Sequence, residues 1–374
     1  SGYIGGSRWS SGGTGTVSVD GEGSSWSCSG DLYIGYDDQG MLEITNGGNV
    51  SCESGYIGGS WRSSEGTGRV SVDGEGSSWN CSGDLYVGNY GQGTLNISNG
   101  GNVSCGSGHI GEESGSTGEV SVDGEGSSLS CSGFLFVGYE SQGTLEISNG
   151  GNVSCGDDGY IGDKSGSRGE VSVDGADSRL NCRNDLYVGK HGQGTLNISN
   201  GGNVSCGSGH IGYESGSTGE VSVDGEGSTW SCSCNLYVGK EGQGTLNISN
   251  GGLVKVWRTL TIDWNGDGDS FIRMATGGML ALHGDADANN DDNITIDEFL
   301  AMVEGTDEIE YWDGTDWSNI TNATAGEDYS IEYHDDGDLA GYTVLTVTAV
   351  PEPATLMLLL AGAGLGLGGI RRRK

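Results

Sequence analysis

Apolar residues recur along most of this chain as short i, i+2 pairs set apart by glycine, serine and carboxylates. One group is Val17 and Val19, Trp26 and Cys28, then Leu32 and Ile34. The next is Leu42 and Ile44, Val50 and Cys52, then Ile57. A spacing of two is the period of a strand with one buried face. Asx-Gly steps follow the first pair of each group, at Asp20-Gly21 and Asn46-Gly47, where left-handed backbone angles are tolerated. The pattern predicts units of about 25 residues, made of short strands and glycine-rich corners.

These units come in pairs. The segment VSVDGEGSSW starts at Val17 and Val70, and its variants start at Val120, Val171 and Val221. A second block, QGxLxIxNGG, starts at Gln39, Gln92, Gln142, Gln193 and Gln243. Five double repeats of about 50 residues follow. No single unit buries its own apolar face, so neighbours must stack. A parallel β-solenoid with one coil per half-repeat meets this demand and predicts ten coils, roughly 50 Å long at ~4.8 Å per coil. One coil per 50 residues would leave too much perimeter around too few apolar residues, and a propeller needs antiparallel blades.

Composition supports the same architecture. Of 374 residues, 76 are glycine and only two are proline, both near the C-terminus. That balance excludes collagen and spares every coil the ladder bond a proline would remove. A net charge of −36 excludes a nucleic-acid partner, since phosphate binding needs a cationic surface.

The spellings GTVxVDGxGSxW, DLYVG, QGTLxISNGG and GYIG resemble the autotransporter-like and PEP-CTERM-associated repeats of bacterial surface proteins, over roughly residues 1–256. The resemblance implies a right-handed parallel β-helix without catalytic activity. The chain opens at Ser1 inside a repeat and without an initiator Met, so the expectation is a mature or truncated chain whose export signal and first coils are missing.

Two ladders follow from the register. Nine cysteines share one repeat position on the inward face: Cys28, Cys52, Cys81, Cys105, Cys131, Cys155, Cys182, Cys206 and Cys232. Free thiols packed as small hydrophobes are one reading. Bridges between adjacent coils are the other, because a ~4.8 Å Cα spacing permits them; the pairs 28–52, 81–105, 131–155 and 182–206 are each 24 residues apart. On the outside, Tyr3, Tyr33, Tyr56, Tyr86, His109, Phe136, Tyr160, Tyr187, His210 and Tyr237 precede each Ile/Val-Gly step. They form a stacked edge, and the aromatic members Tyr33, Tyr56, Tyr86, Phe136, Tyr160, Tyr187 and Tyr237 are the candidate platform for sugar rings.

Composition shifts after Val256. Residues 257–349 predict a small acidic, β-rich cap, with strands at Thr259–Ile262, Phe271–Met274 and Met279–Leu282 that finish or cap the solenoid, and a later strand pair at Tyr329–Tyr333 and Tyr342–Thr348. Trp257, Trp264, Trp312 and Trp317 are its core candidates. Two loops are candidate calcium sites. Asp287, Asn289, Asp291, Asn293 and Glu298 occupy EF-hand-like ligand positions ahead of a helical stretch, Phe299–Val303. Asp292 stands where that loop needs glycine. The second loop offers Asp263, Asn265, Asp267 and Asp269 on a glycine-rich turn. Ca²⁺ is the only cofactor expected. Catalysis finds no motif, and the cations Arg8, Arg62, Arg69, Lys164, Arg168 and Arg179 form no column that a polysaccharide lyase or hydrolase would need.

The end of the chain is the most specific signal. Pro351-Glu352-Pro353 precedes seventeen uncharged residues, Ala354 to Ile370, then Arg371, Arg372, Arg373 and Lys374. That run is the short limit for a membrane span, and the basic cluster would stay cytoplasmic. This three-part tail over 350–374 resembles the PEP-CTERM sorting signal. The resemblance implies an exosortase-type protease as partner, transient membrane insertion, and release or attachment at the cell surface. The combined expectation is an all-β, exported structural or adhesin-like protein of the cell envelope or extracellular matrix, without enzymatic activity. A carbohydrate-binding surface module is the alternative.

Overall fold

The structure is a computed structural model that describes residues 1–6, 13–60, 66–290, 293–305 and 308–348. Each turn runs through three strands. One turn is Leu32–Ile34, Gln39–Thr45 and Asn49–Cys52; the next is Gly55–Ile57, Thr67–Asp73 and Ser78–Cys81. Successive turns pair in parallel and in register, so Leu42 and Ile44 lie over Val70 and Val72, and Val50 over Trp79. The three faces of the rod are thereby sheets of 12, 13 and 13 strands. Alternation drives one face inward. Leu42, Ile44, Val50 and their equivalents are buried from the second turn onward, while Val17 and Trp26 of the first are half-buried; each buried side chain contributes about 1.5–3 kcal/mol.

Among the described residues the parallel stack makes eleven turns, one more than the ten expected from the repeats. Leu260–Ile262, Phe271–Met274 and Met279–His283 lie parallel on the three strands of the tenth turn. These strands have lost the QG and NGG signatures but kept the i, i+2 apolar pairs Leu260/Ile262, Ile272/Met274 and Leu280/Leu282. Inward alternation is all the core requires. Val303–Gly305 and Ile309–Trp312 then extend two of the sheets. Beyond them the pairing turns antiparallel: Tyr342–Val347 lies on Met279–His283, and Tyr329–His334 on Tyr342–Val347. These strands occupy a parallel edge that would otherwise template another chain.

Two expectations for this region need correction. The helix is Ile296–Leu300, not Phe299–Val303, and Val303 begins a strand. A capping box sets its start, with Thr295 accepting from Glu298 N–H while the Glu298 carboxylate accepts from the Thr295 backbone. The four tryptophans are not the core: Trp257 and Trp264 are exposed, and Trp312 and Trp317 are half-buried. Phe299, Ile309, Ile320, Leu345 and Val347 fill that space.

The two halves of each double repeat differ because their side chains complement each other across the core. Gly55 faces Trp79, whose Cζ2 lies 2.6 Å from where a Gly55 Cβ would stand; Gly209 and Trp230 repeat this at 2.7 Å. The following turn instead carries Leu85 with Val103. Glycine shares a turn with Trp26, Trp79 or Trp230 in three cases and with Leu129 or Leu180 in two, where a cysteine sulfur takes the space, while the alternate turns pair leucine with valine.

The corners are equally specific. At Asn99-Gly100 both residues adopt positive φ, 51° and 88°. The buried Ser127 hydroxyl donates to Asp123 O at 2.7 Å and accepts from Gly100 N in the preceding turn at 3.0 Å. Asp123 Oδ1 in turn accepts from Ser148 Oγ and Asn149 Nδ2, both at 2.6 Å. Those hydrogen bonds hold the Asp123 carboxyl below its ordinary range. The same links recur at Asp73, Asp174 and Asp224, so the VDG and SNG words are two ends of one inter-turn clamp.

Candidate functional site

The outward ring ladder is continuous. From Tyr3 through Tyr33, Tyr56, Tyr86, His109, Phe136, Tyr160, Tyr187 and His210 to Tyr237, consecutive centroids lie 4.5–5.1 Å apart and near parallel. Thr261 occupies the next rung. Tyr36, Tyr139 and Tyr213 pack edge-on against the column. All the aromatic residues singled out from the sequence therefore meet in one stack, but each inner ring spends its two faces on its neighbours. What remains for a ligand is a row of ring edges and hydroxyls.

Those hydroxyls are also engaged. Tyr33 donates to Asp31 at 3.1 Å and Tyr160 to Asp158 at 2.9 Å. Burial, with the adjacent carboxylates adding, pushes the phenols of Tyr33, Tyr86, Tyr160 and Tyr187 up. The aspartates two residues before these four rings, Asp31, Asp84, Asp158 and Asp185, are absent from the sequence reading, although the DLY spelling signals three of them. Their other oxygens also tie turns together: Asp84 Oδ1 accepts from Ser107 N at 2.7 Å, and Asp185 Oδ1 from Ser208 N at 2.9 Å.

Of the sequence's cations, Arg8 and Arg62 lie outside the described residues. Lys164 and Lys190 converge on the buried Asp163, at 3.1 and 3.6 Å. Lys190 also sits 4.4 Å above the Tyr160 ring, and Lys240 4.2 Å above Tyr213. These are local charge pairs and cation–π contacts along the ladder.

The two acidic loops differ. In the first, Asp291 lies outside the described residues, and the Glu298 carboxylate is taken up by the capping box, accepting from Thr295 N and Oγ1 at 2.8 Å each. Asn289 and Asn293 flank that gap, and Asp287 N donates to Asp285 Oδ1 at 3.0 Å. The second loop brings its carboxylates together: Asp263, Asp267 and Asp269 offer oxygens within 4.8 Å of one another. Asp263 is only 1% exposed and takes φ of 47°, with Gly266 and Gly268 also at positive φ. Its Oδ2 accepts from Gly268 N at 2.9 Å, whereas its Oδ1 is buried without a hydrogen-bond partner. Asn265 Nδ2 donates to Asp267 Oδ2 at 2.7 Å. Two oxygens bound to one Ca²⁺ at ~2.4 Å stand at most ~4.8 Å apart. The donor set therefore fits a hard cation, and an orphaned buried carboxylate oxygen is costly without one.

Inside the rod, the thiols from Cys52 to Cys232 in the repeat position are between 1% and 6% exposed, as the inward register requires. Cys28 and the off-register Cys234 are half-buried.

Pro351, Glu352, Pro353, the 354–370 segment and Arg371 to Lys374 lie outside the described residues. Among the described residues no helix is long and apolar enough to cross a membrane. Comparison with known proteins bears on this tail. No curated protein and no solved structure matches the chain. Residues 349–374, however, match the PEP-CTERM protein-sorting motif, which implies exosortase-mediated sorting and export to the cell envelope. The chain is thus a β-solenoid of about eleven turns that carries a PEP-CTERM sorting motif at residues 349–374.

Proposed function

We propose that this chain is a non-catalytic structural element of the cell surface, a stiff acidic rod that is sorted by its tail and works by adhesion within an extracellular polysaccharide layer. The sorting motif carries the reading. The rod supports it, because the turns repeat an alternating core, a corner clamp and, through the tenth, an outward ring, so length and stiffness are what the fold builds. The 354–370 segment inserts transiently in the membrane, and an exosortase-type protease is the processing partner. Deleting residues 350–374, or replacing Pro351, Glu352 and Pro353 with alanine, is expected to remove the protein from the surface fraction by at least about tenfold, as read by fractionation and immunoblotting. Unchanged surface recovery of both variants would overturn the sorting role.

The loop 263–269 serves this role as a calcium clasp on the eleventh turn. Calorimetric titration with Ca²⁺ is expected to show a site whose heat disappears in Asp263→Asn, with a calcium-dependent rise in melting temperature. Heat that persists in Asp263→Asn belongs to the Asp287 loop. No heat at millimolar metal excludes both.

A further inference from the structure

The register of the third sheet divides the inward cysteines into pairs. Cys52 lies over Cys81, Cys105 over Cys131, Cys155 over Cys182, and Cys206 over Cys232. Three of these pairs hold their sulfurs 3.4, 3.3 and 3.7 Å apart; in the fourth, Cys155 Sγ donates to Asp157 O at 3.5 Å, and both sulfurs border Gly159, 3.8 and 2.6 Å from where its Cβ would stand. Most contacts of the opposite phase are not equivalent. Between Cys28 and Cys52, Cys81 and Cys105, and Cys182 and Cys206 the strand ladder stops one residue short, at Ser27–Ser51, Asn80–Ser104 and Asn181–Ser205. Cys131 also lies in register with Cys155, but Cys131 has its sulfur partner on the other side, in Cys105. Glycine makes room for two of the pairs: a Cβ on Gly108 would stand 2.8 Å from Cys131 Sγ, and one on Gly159 2.6 Å from Cys182 Sγ.

We propose that in the exported protein these four pairs close as disulfides, each fastening the second half of one repeat to the first half of the next. The phase is the reverse of the 24-residue pairing that the repeat spacing suggests. Adjacent parallel strands hold Cα atoms ~4.8 Å apart, inside the range a disulfide accepts, so closure needs the sulfurs to move to ~2.05 Å without moving strands. Each closure loses two S–H hydrogens and forms one S–S bond; the electrons reduce a disulfide-bearing oxidant of the envelope to its two thiols. Cys28 and Cys234 stay outside the pairing. The proposal takes from the sorting reading only that the chain reaches an oxidising compartment.

The full chain, purified under reductant and denatured, is refolded against glutathione disulfide, alkylated, digested and mapped by mass spectrometry without reduction. The expected result is peptides joining the four named pairs, with a melting temperature above that of the reduced chain. In Cys105→Ser, Cys131 is expected to remain unbridged while the other three pairs close. Alkylation of all ten cysteines overturns the proposal, as do bridges joining Cys28 to Cys52 or Cys81 to Cys105. The same map is made on the chain recovered from the envelope. Free thiols there, after bridges form in refolding, overturn the claim for the exported protein and leave sorting intact. A chain absent from the envelope overturns the export reading and leaves the pairing standing on the refolding result.

Discussion

Gly93→Ala is expected to destabilise the stack by about 4 kcal/mol or more, in the range reserved for specific structural damage. Gly93 has no unusual φ; the obstacle is space. A Cβ there would stand 2.1 Å from the backbone nitrogen of Gly88, at the corner where the first strand of a turn bends into the second. Backbone cannot swing aside as a flexible side chain would, so a strand must leave its ladder. Gly166→Ala is the control. Gly166 sits at φ 82° with nothing within 4 Å of its Cβ position, so it should show only backbone strain, about 1–2 kcal/mol. Denaturant titration of both variants, with hydrogen exchange to locate the opened turns, checks the pair. Hydrogen exchange matters because a repeat array need not unfold in two states. Equal costs at the two positions would refute the steric account.

Trp79→Val is expected to cost about 3 kcal/mol, near the lower end for emptying a buried aromatic site. Gly55→Leu alone should be comparably damaging, since its Cβ would enter the Trp79 ring at 2.6 Å. Combined, the two should return to within about 1–2 kcal/mol of the parent, a coupling far from additive. The double variant copies the neighbouring turn, where Leu85 and Val103 share the core. Leucines in successive turns are already tolerated, as Leu236 lies directly over Leu260. Additive losses in the cycle would mean that the alternation of half-repeats has another cause.

Both predictions touch features that the chain's spelling shows without explaining. QG recurs in every repeat, and sequence alone reads its glycine as a corner residue. Only the stacked turns reveal a backbone nitrogen where its Cβ would go. The alternation of GYI with DLY is likewise visible, while the partner that makes it necessary lies about 24 residues further on, across the core. The three strands of the eleventh turn are legible from their alternation, but whether they continue the stack or cap it is not. Residues 260–283 keep inward alternation but drop the corner words, and a search by repeat spelling stops at Val256. Apolar residues alone place a helix at Phe299–Val303, whereas the Thr295-x-x-Glu298 cap starts it at Ile296.

Periodic and local features are legible along the chain: inward alternation at every second residue, Asn-Gly corners, a thiol at one inward rung, a ring at one outward rung, and the sorting tail. Each of these is read within one half-repeat or one short motif. Features that depend on contacts between turns emerge only in the stacked fold. It showed that the ring faces are consumed by their neighbours, that Asp263 has a buried oxygen left unpaired beside Asp267 and Asp269, and that the cysteines meet across repeat boundaries. Register accounts for the difference. The chain states which residue occupies each rung, but the distance between rungs, and the side on which a neighbour stands closer, exist only once the turns are stacked.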